Sequence, residues 1–256
     1  MTTPPFDDLL SLIDDRSAAL RAAAAAVPAD ARVPSCPEWS VHDLVAHLGE
    51  VQRFWAAVAA AGPSAAPPDD DEVPDRTPSG DLLAWSAEST GKLIAALRAA
   101  GPDLDCWTWW SASSAPETVG ALARHQVQEA AVHARDAQEA AGHAEPLPAL
   151  IGTDGVDEFL TVCLGACGPW PYQPARVAVR AAGGPQWLLD LGEEGAVVST
   201  QTAAAGLSPA LEPAASLSAS ASDLVLALYG RLSLDAIGVG GDRGVVEQLI
   251  DWGPRD

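Results

Sequence analysis

His125-Gln-Val-Gln-Glu129-Ala-Ala-Val-His133 sets a carboxylate and an imidazole four residues apart, which on a helix places them side by side on one face. Glu129 sits among Val127, Ala130, Ala131 and Val132, where an isolated carboxylate is costly to bury. A divalent metal would offset that cost. So would an arginine, and Arg124 or Arg135 could supply a plain surface ion pair instead. Two ligands on one rigid helix hold a metal when a third arrives from elsewhere. His47, in Asp43-Leu-Val-Ala-His47-Leu-Gly, is the best candidate for that third ligand. His125 lies on the same face but about 12 Å along the axis from His133. One zinc at about 2 Å from each ligand cannot take both. His42, in a first helical turn, and His143, after Gly142, carry no assigned role.

Working outward, the first half reads as long helices. Leu9, Leu10, Ile13, Leu20 and Ala24 recur at helical spacing between about residues 5 and 27, and Pro28, Pro34 and Pro37 then interrupt the pattern. Ser40-Val-His-Asp43 opens a second helix with a capping-box-like start, and Leu44, Val45, Leu48, Val51 and Trp55 form its apolar face. Residues 63–80, rich in Pro, Asp and Ala, read as a flexible loop. A third helix is expected from about Ser79 to Ala100. The Trp-rich loop Cys106-Trp107-Thr-Trp109-Trp110 follows, its rings more consistent with packing than with a ligand wall. A fourth helix is expected from Pro116 to Gly142. Such a run of helices with polar connections predicts an antiparallel four-helix bundle.

Pro146 and Pro148 mark a boundary, dividing the chain into a helical domain over 1–148 and an α+β domain over 149–256. In the latter a helix over about Ile151 to Gly165 precedes strand-like runs at Ala175–Arg180, Gln186–Leu191, Gly195–Gln201 and Ala214–Ser220. A helix capped by Ser222, a strand near Ile237 and a helix from Asp242 to Trp252 complete the pattern.

Composition narrows the function. The 256 residues carry a formal charge of −21, which argues against nucleic acid and against docking on anionic lipid. No run of about 20 apolar residues reads as a membrane span, and the N-terminus lacks the pattern of a signal peptide, so the cytoplasm is the expected location. The four cysteines, Cys36, Cys106, Cys163 and Cys167, form no C-x-x-C and are expected as small buried residues. Two imidazoles with one carboxylate is a ligand set of catalytic zinc, with a position left for water or substrate. Asp43, one turn before His47, and Asp136, three residues after His133, are the candidates for orienting the imidazoles.

Val33-Pro-Ser-Cys-Pro-Glu-Trp-Ser-Val-His-Asp-Leu-Val-Ala-His47-Leu-Gly resembles the signature of the mycothiol-dependent maleylpyruvate isomerase family, within the DinB-like superfamily. Glu129, His133 and Asp136 match the second half of that signature. The run Asp223-Leu-Val-Leu-Ala-Leu-Tyr-Gly-Arg231, with Gly-Val-Gly-Gly-Asp242 after it, resembles the family's smaller domain. Glu38 stands where the family pattern has Gly, and Arg135 where an aromatic is frequent.

The resemblance implies an N-terminal DinB-like four-helix bundle holding zinc on His47, Glu129 and His133. It also implies a smaller C-terminal α/β domain similar to sterol carrier proteins. Arg231 matches an active-site arginine of the family; its alternative role is to complement a helix C-terminus. The implied activity is a mycothiol-dependent isomerase or S-transferase working as a monomer on a small electrophile, with zinc as cofactor and mycothiol as thiol cosubstrate. A metal-dependent hydrolase and a non-catalytic small-ligand carrier are the alternatives.

Overall fold

The computed structural model describes residues 3–201 and 212–254. They fall into two compact units, Thr3–Thr108 with Pro116–Leu147, and Trp109–Ala115 with the chain from Pro148 onward. None of the described helices is long and apolar enough to cross a membrane.

The first unit is built on four long helices: α1 (Phe6–Ala25), α2 (Val41–Ala61), α3 (Leu82–Ala100) and α4 (Val119–Ala140). Helix α1 packs most extensively on α4, and α2 on α3. The Ser40–Asp43 capping box is present: the Ser40 hydroxyl accepts from the Asp43 N–H, and Asp43 Oδ2 accepts from the Ser40 N–H at 2.9 Å. Asp81 caps α3 by accepting from the Ala84 N–H at 2.8 Å.

Helix α4 starts three residues later than the sequence predicts. The Cys106 N–H donates to the Glu117 carbonyl, and Asp105 bridges Thr118, so the chain stays extended until Thr118 accepts from the Ala121 N–H and caps the helix.

Between α1 and α2 the Pro-rich interruption is a small antiparallel hairpin, β1 (Arg32–Val33) and β2 (Cys36–Ser40). The sequence pattern shows only a Pro-rich interruption of the helix there, with no strand signal. At an edge, proline needs no ladder donor. Val33 is fully buried in a core with Leu20 of α1, Leu44 and Leu48 of α2, and Ala130, Ala134 and Ala137 of α4. The small alanines let α4 approach closely. A polar seam ties three helices: Gln52 Nε2 donates to Ser17 Oγ at 2.8 Å, while Thr90 donates to Gln52 Oε1 at 2.9 Å. Helices α2 and α3 meet at Gly49, where any Cβ would lie 2.1 Å from the Trp85 ring. The 63–80 connection carries a short 3-10 turn at Asp70–Glu72.

The second unit holds a five-stranded mixed sheet in the order β5 (Gly195–Gln201), β4 (Gln186–Gly192), β3 (Ala175–Ala181), β6 (Ala215–Ala219) and β7 (Gly238–Gly241). Strands β3 and β6 run parallel, with Val177 opposite Ala215, and every other neighbouring pair is antiparallel. Helices α5 (Ala149–Glu158), α6 (Ala221–Leu228) and α7 (Arg243–Trp252) accompany the sheet. Helix α5 ends earlier than its apolar pattern predicts, passing into a π turn at Phe159–Cys163 and a 3-10 turn at Leu164–Ala166.

Helix α6 is capped by Ser220, not Ser222. The Ser220 hydroxyl accepts from the Asp223 N–H at 3.1 Å, whereas Ser222 is buried within the first turn. Either serine precedes an apolar run; the acidic partner three residues on selects the first. Asp157 of α5 accepts from Trp187 Nε1 of β4 at 2.8 Å, fixing the helix against the sheet.

Candidate metal centre

Helix α2 presents His47 and helix α4 presents Glu129 and His133. Each offers a donor atom, and these atoms all lie within 4.8 Å of one another. The expected i,i+4 pairing is visible in detail: Glu129 Oε2 is 3.6 Å from His133 Nε2. The His47 and His133 rings meet edge to face with centroids 5.0 Å apart. His133 is buried, Glu129 nearly so, and His47 half-buried. His125 stays outside this group, with its Nε2 3.6 Å from the other Glu129 oxygen, Oε1. Arg135, a candidate partner for Glu129, is 3.5 Å from Glu139.

Asp136 is wholly buried, and its Oδ2 lies 3.1 Å from His133 Nδ1. A carboxylate there can only accept, so it selects the tautomer that carries its proton on Nδ1. His133 Nε2 then faces Glu129 Oε2 at 3.6 Å, a pair of donor atoms that a divalent cation could bridge. Donor atoms sharing one tetrahedral ion at about 2.1 Å stand about 3.4 Å apart. The donor set is of the right chemistry for a zinc-type ion, and the Glu129–His133 separation of 3.6 Å is close to that spacing.

Asp43 does not serve His47 as an orienting partner. It is exposed at the start of α2, spent on the Ser40 cap, and 3.7 Å from His42 Nδ1. The Ser40 hydroxyl and backbone N–H hold its carboxyl below the usual carboxylate range.

Two neighbours of the site come from the hairpin. Ser35 donates to Asp136 Oδ1 at 2.6 Å. The Trp39 ring lies 4.6 Å from the His47 ring and 6.0 Å from the His133 ring. Both residues belong to the stretch that carries the family resemblance, and that proximity in sequence to His47 was the available signal. What the sequence hides is that the same turn folds back onto α4.

Two of the thiols are poor nucleophiles. Burial, with the Asp105 and Glu117 carboxylates adding to it, pushes the Cys106 thiol up to about 11, and burial also raises that of Cys167. Trp107 stacks on Trp55 with centroids 5.8 Å apart, and Trp110 is fully buried, so both rings pack. Arg231 follows α6, and its Nη1 donates to the Tyr229 carbonyl at 3.0 Å.

Comparison with known proteins agrees with this architecture. The family model described as the mycothiol maleylpyruvate isomerase N-terminal domain matches residues 10–138, and that of the C-terminal domain matches residues 151–248. Among solved structures, the mycothiol-dependent maleylpyruvate isomerase aligns over 94% of this chain and 96% of its own, at 15% identity and a TM-score of 0.58. A histidine-to-alanine mutant of the mycothiol-dependent maleylpyruvate isomerase aligns over the same shares at a TM-score of 0.59 and 15% identity. At that identity the likeness is one of fold. No curated protein matches the sequence significantly. With the models of both domains matched in order along one chain, the protein belongs to the mycothiol maleylpyruvate isomerase family of enzymes.

Proposed function

We propose that the protein is a zinc-dependent enzyme that uses mycothiol, working as an isomerase or S-transferase on a small electrophile, in the manner of the maleylpyruvate reaction. The observation that carries this reading is the convergence of His47, Glu129 and His133 donor atoms within 4.8 Å. Zinc bound there would supply a Lewis acid with an open position, which lowers the pKa of an arriving thiol from its usual value of about 8.5.

The side chains do the rest. Asp136 keeps the His133 proton on Nδ1, so Nε2 stays a neutral donor; Ser35 holds Asp136. Glu129 contributes one negative charge, and the Trp39 ring packs beside both imidazoles. Arg231 is inferred to bind a substrate carboxylate bidentately, which would draw electron density from the acceptor.

Cys106 and Cys167 are ill suited as nucleophiles at neutral pH. Mycothiol thiolate adds to an activated carbon–carbon double bond, and the electron pair moves onto the conjugated carbonyl. The resulting single bond rotates; collapse of the enolate expels the thiolate and restores the double bond. That sequence is an isomerisation with the thiol regenerated. Protonation of the enolate carbon instead retains the sulfur, and the product is a thioether.

The reading carries further inferences. Helices α1–α4 correspond to a DinB-like four-helix bundle within a metal-binding domain over 1–148, and the region over 149–256 to a sterol-carrier-like α+β domain. The enzyme works as a cytoplasmic monomer, and its charge of −21 disfavours nucleic acid and anionic membranes.

The test is metal content followed by turnover. Purified protein should hold close to one zinc per chain, and His47→Ala, Glu129→Ala and His133→Ala should each lose it. Zinc-loaded protein given mycothiol and a panel of unsaturated oxo-acids should yield isomer or thiol adduct by mass spectrometry. Turnover independent of thiol would make the enzyme a hydrolase instead, and retention of metal in all three variants would overturn the site.

A further inference from the structure

The hairpin β1–β2 is too small to be a structural layer of its own, yet it reaches the metal centre twice. From its turn, Ser35 donates a short hydrogen bond of 2.6 Å to Asp136 Oδ1, across 101 positions of sequence. The other oxygen of the same buried carboxylate takes His133 Nδ1 at 3.1 Å. From its second strand, Trp39 lays its ring over His47 at 4.6 Å, tilted by 45°, and over His133 at 6.0 Å, tilted by 40°. The hairpin is itself anchored, because Val33 is fully buried in the core between α1, α2 and α4. One rigid element thus touches both imidazoles, one through a carboxylate and the other by direct ring contact.

We propose that Ser35 and Trp39 are positioning residues for the two metal-holding imidazoles, and that the hairpin sets the affinity and geometry of the ion. The proposal rests on the metal reading above and adds to it the device that holds the ligands in place.

Its physics is specific. An ordinary carboxylate on a helix rotates about two torsions; a short hydrogen bond from Ser35 to one oxygen fixes the plane in which the other meets Nδ1. With that plane fixed, His133 cannot swing or change tautomer without breaking a buried hydrogen bond. Asp43, one turn before His47 on the same helix, is committed to the Ser40 cap. The Trp39 face supplies the restraint instead, limiting rotation of the His47 ring by packing. Groups that orient metal ligands in this way are typically worth 10–100-fold in metal affinity.

The experiment uses the full-length zinc protein and reads metal affinity by chelator competition. The visible absorption of the cobalt(II)-substituted protein gives a second readout that stability alone does not move. Ser35→Ala should weaken zinc binding about 10–100-fold, and Ser35→Thr, which keeps the hydroxyl, should recover most of that loss. Trp39→Leu should weaken zinc binding and shift the cobalt(II) bands, with Trp39→Phe intermediate because an aromatic face remains. Melting of each metal-free variant separates positioning from folding. A loss of affinity accompanied by an equal loss of metal-free stability would overturn the proposal. Wild-type affinity and an unchanged cobalt(II) spectrum in Ser35→Ala and Trp39→Leu would overturn it while leaving the metal reading intact. A wild-type protein that takes up no metal would overturn both.

Discussion

Replacing Gly49 by alanine tests how tightly the helices that carry the site are held. An alanine Cβ at this position would stand 2.1 Å from Trp85 Cζ3, 2.7 Å from Cη2 and 3.0 Å from Cε3. Carbon atoms prefer about 3.5–4.0 Å, so the ring has to retreat by more than ~1 Å. It has little room to do so. Trp85 is buried, its Nε1 donates to the Asp75 carbonyl at 3.3 Å, and the Arg53 guanidinium lies 4.8 Å above the ring. Arg53 is in turn bonded to Ser89 at 2.7 Å, so the displacement spreads through α2 and α3.

Overpacking of this kind costs about 1–3 kcal/mol, and weakening the cation–π contact and the indole hydrogen bond adds about 1 kcal/mol. The better helix propensity of alanine returns about 1 kcal/mol. The net loss is about 2 kcal/mol, or about 4–8 °C in melting temperature for a protein of this size. Urea unfolding in the presence of a chelator, followed by circular dichroism, measures it without interference from metal. Trp85→Leu in the Gly49→Ala background should cost less than the two single changes added together, because the smaller side chain relieves the clash. Wild-type stability for Gly49→Ala, or strict additivity in the double variant, would refute the packing argument.

Three further outcomes follow from the site and its supports. Asp136→Asn should lower zinc affinity about 10–100-fold with little change in fold, measured by chelator competition, because a neutral amide holds the Nδ1 proton less firmly. Ser40→Ala should cost about 1 kcal/mol through loss of the α2 cap. Because the cap lowers the Asp43 carboxyl, the part of it made by the Ser40 hydroxyl and that carboxylate is full above the ordinary carboxylate pKa of about 4 and fades as acid protonates the group, so the difference in melting temperature should narrow, without closing, as pH falls below about 4. Burial raises the Cys106 thiol to about 11, so the unfolded chain releases that proton first and stability should fall as pH rises above about 9. Cys106→Ala should flatten that alkaline decline in thermal melts.

The convergence of His47, Glu129 and His133 was legible because they obey a local rule: they stand mid-helix, with the pair at one-turn spacing. The Ser40 cap was legible for the same reason, since its partner is three residues away. The misreadings have one physical origin, which is that competing local signals are ranked by distant partners. Proline at 34 and 37 breaks strands in general, yet an edge hairpin tolerates both. Ser220 and Ser222 both suit a helix start, and only the position of Asp223 decides between them. Asp43 and Asp136 stand at comparable offsets from their histidines, but one faces solvent at a helix start while the other is buried against Ser35. No spacing rule reports which carboxylate the chain will bury.

The pairing of α1 with α4 has a consequence for the protein's synthesis. The apolar face of α1, with Leu9, Leu10, Ile13 and Leu20, is completed mainly by a helix that ends at Ala140. At about 5–20 residues per second, the intervening hundred or so residues take roughly 5–20 s to translate. For that interval α1 has no complete α4 to pack on. The nascent chain is thus exposed to aggregation before residue 140 and protected after it, and a translational pause placed just before α4 should raise its demand for a chaperone.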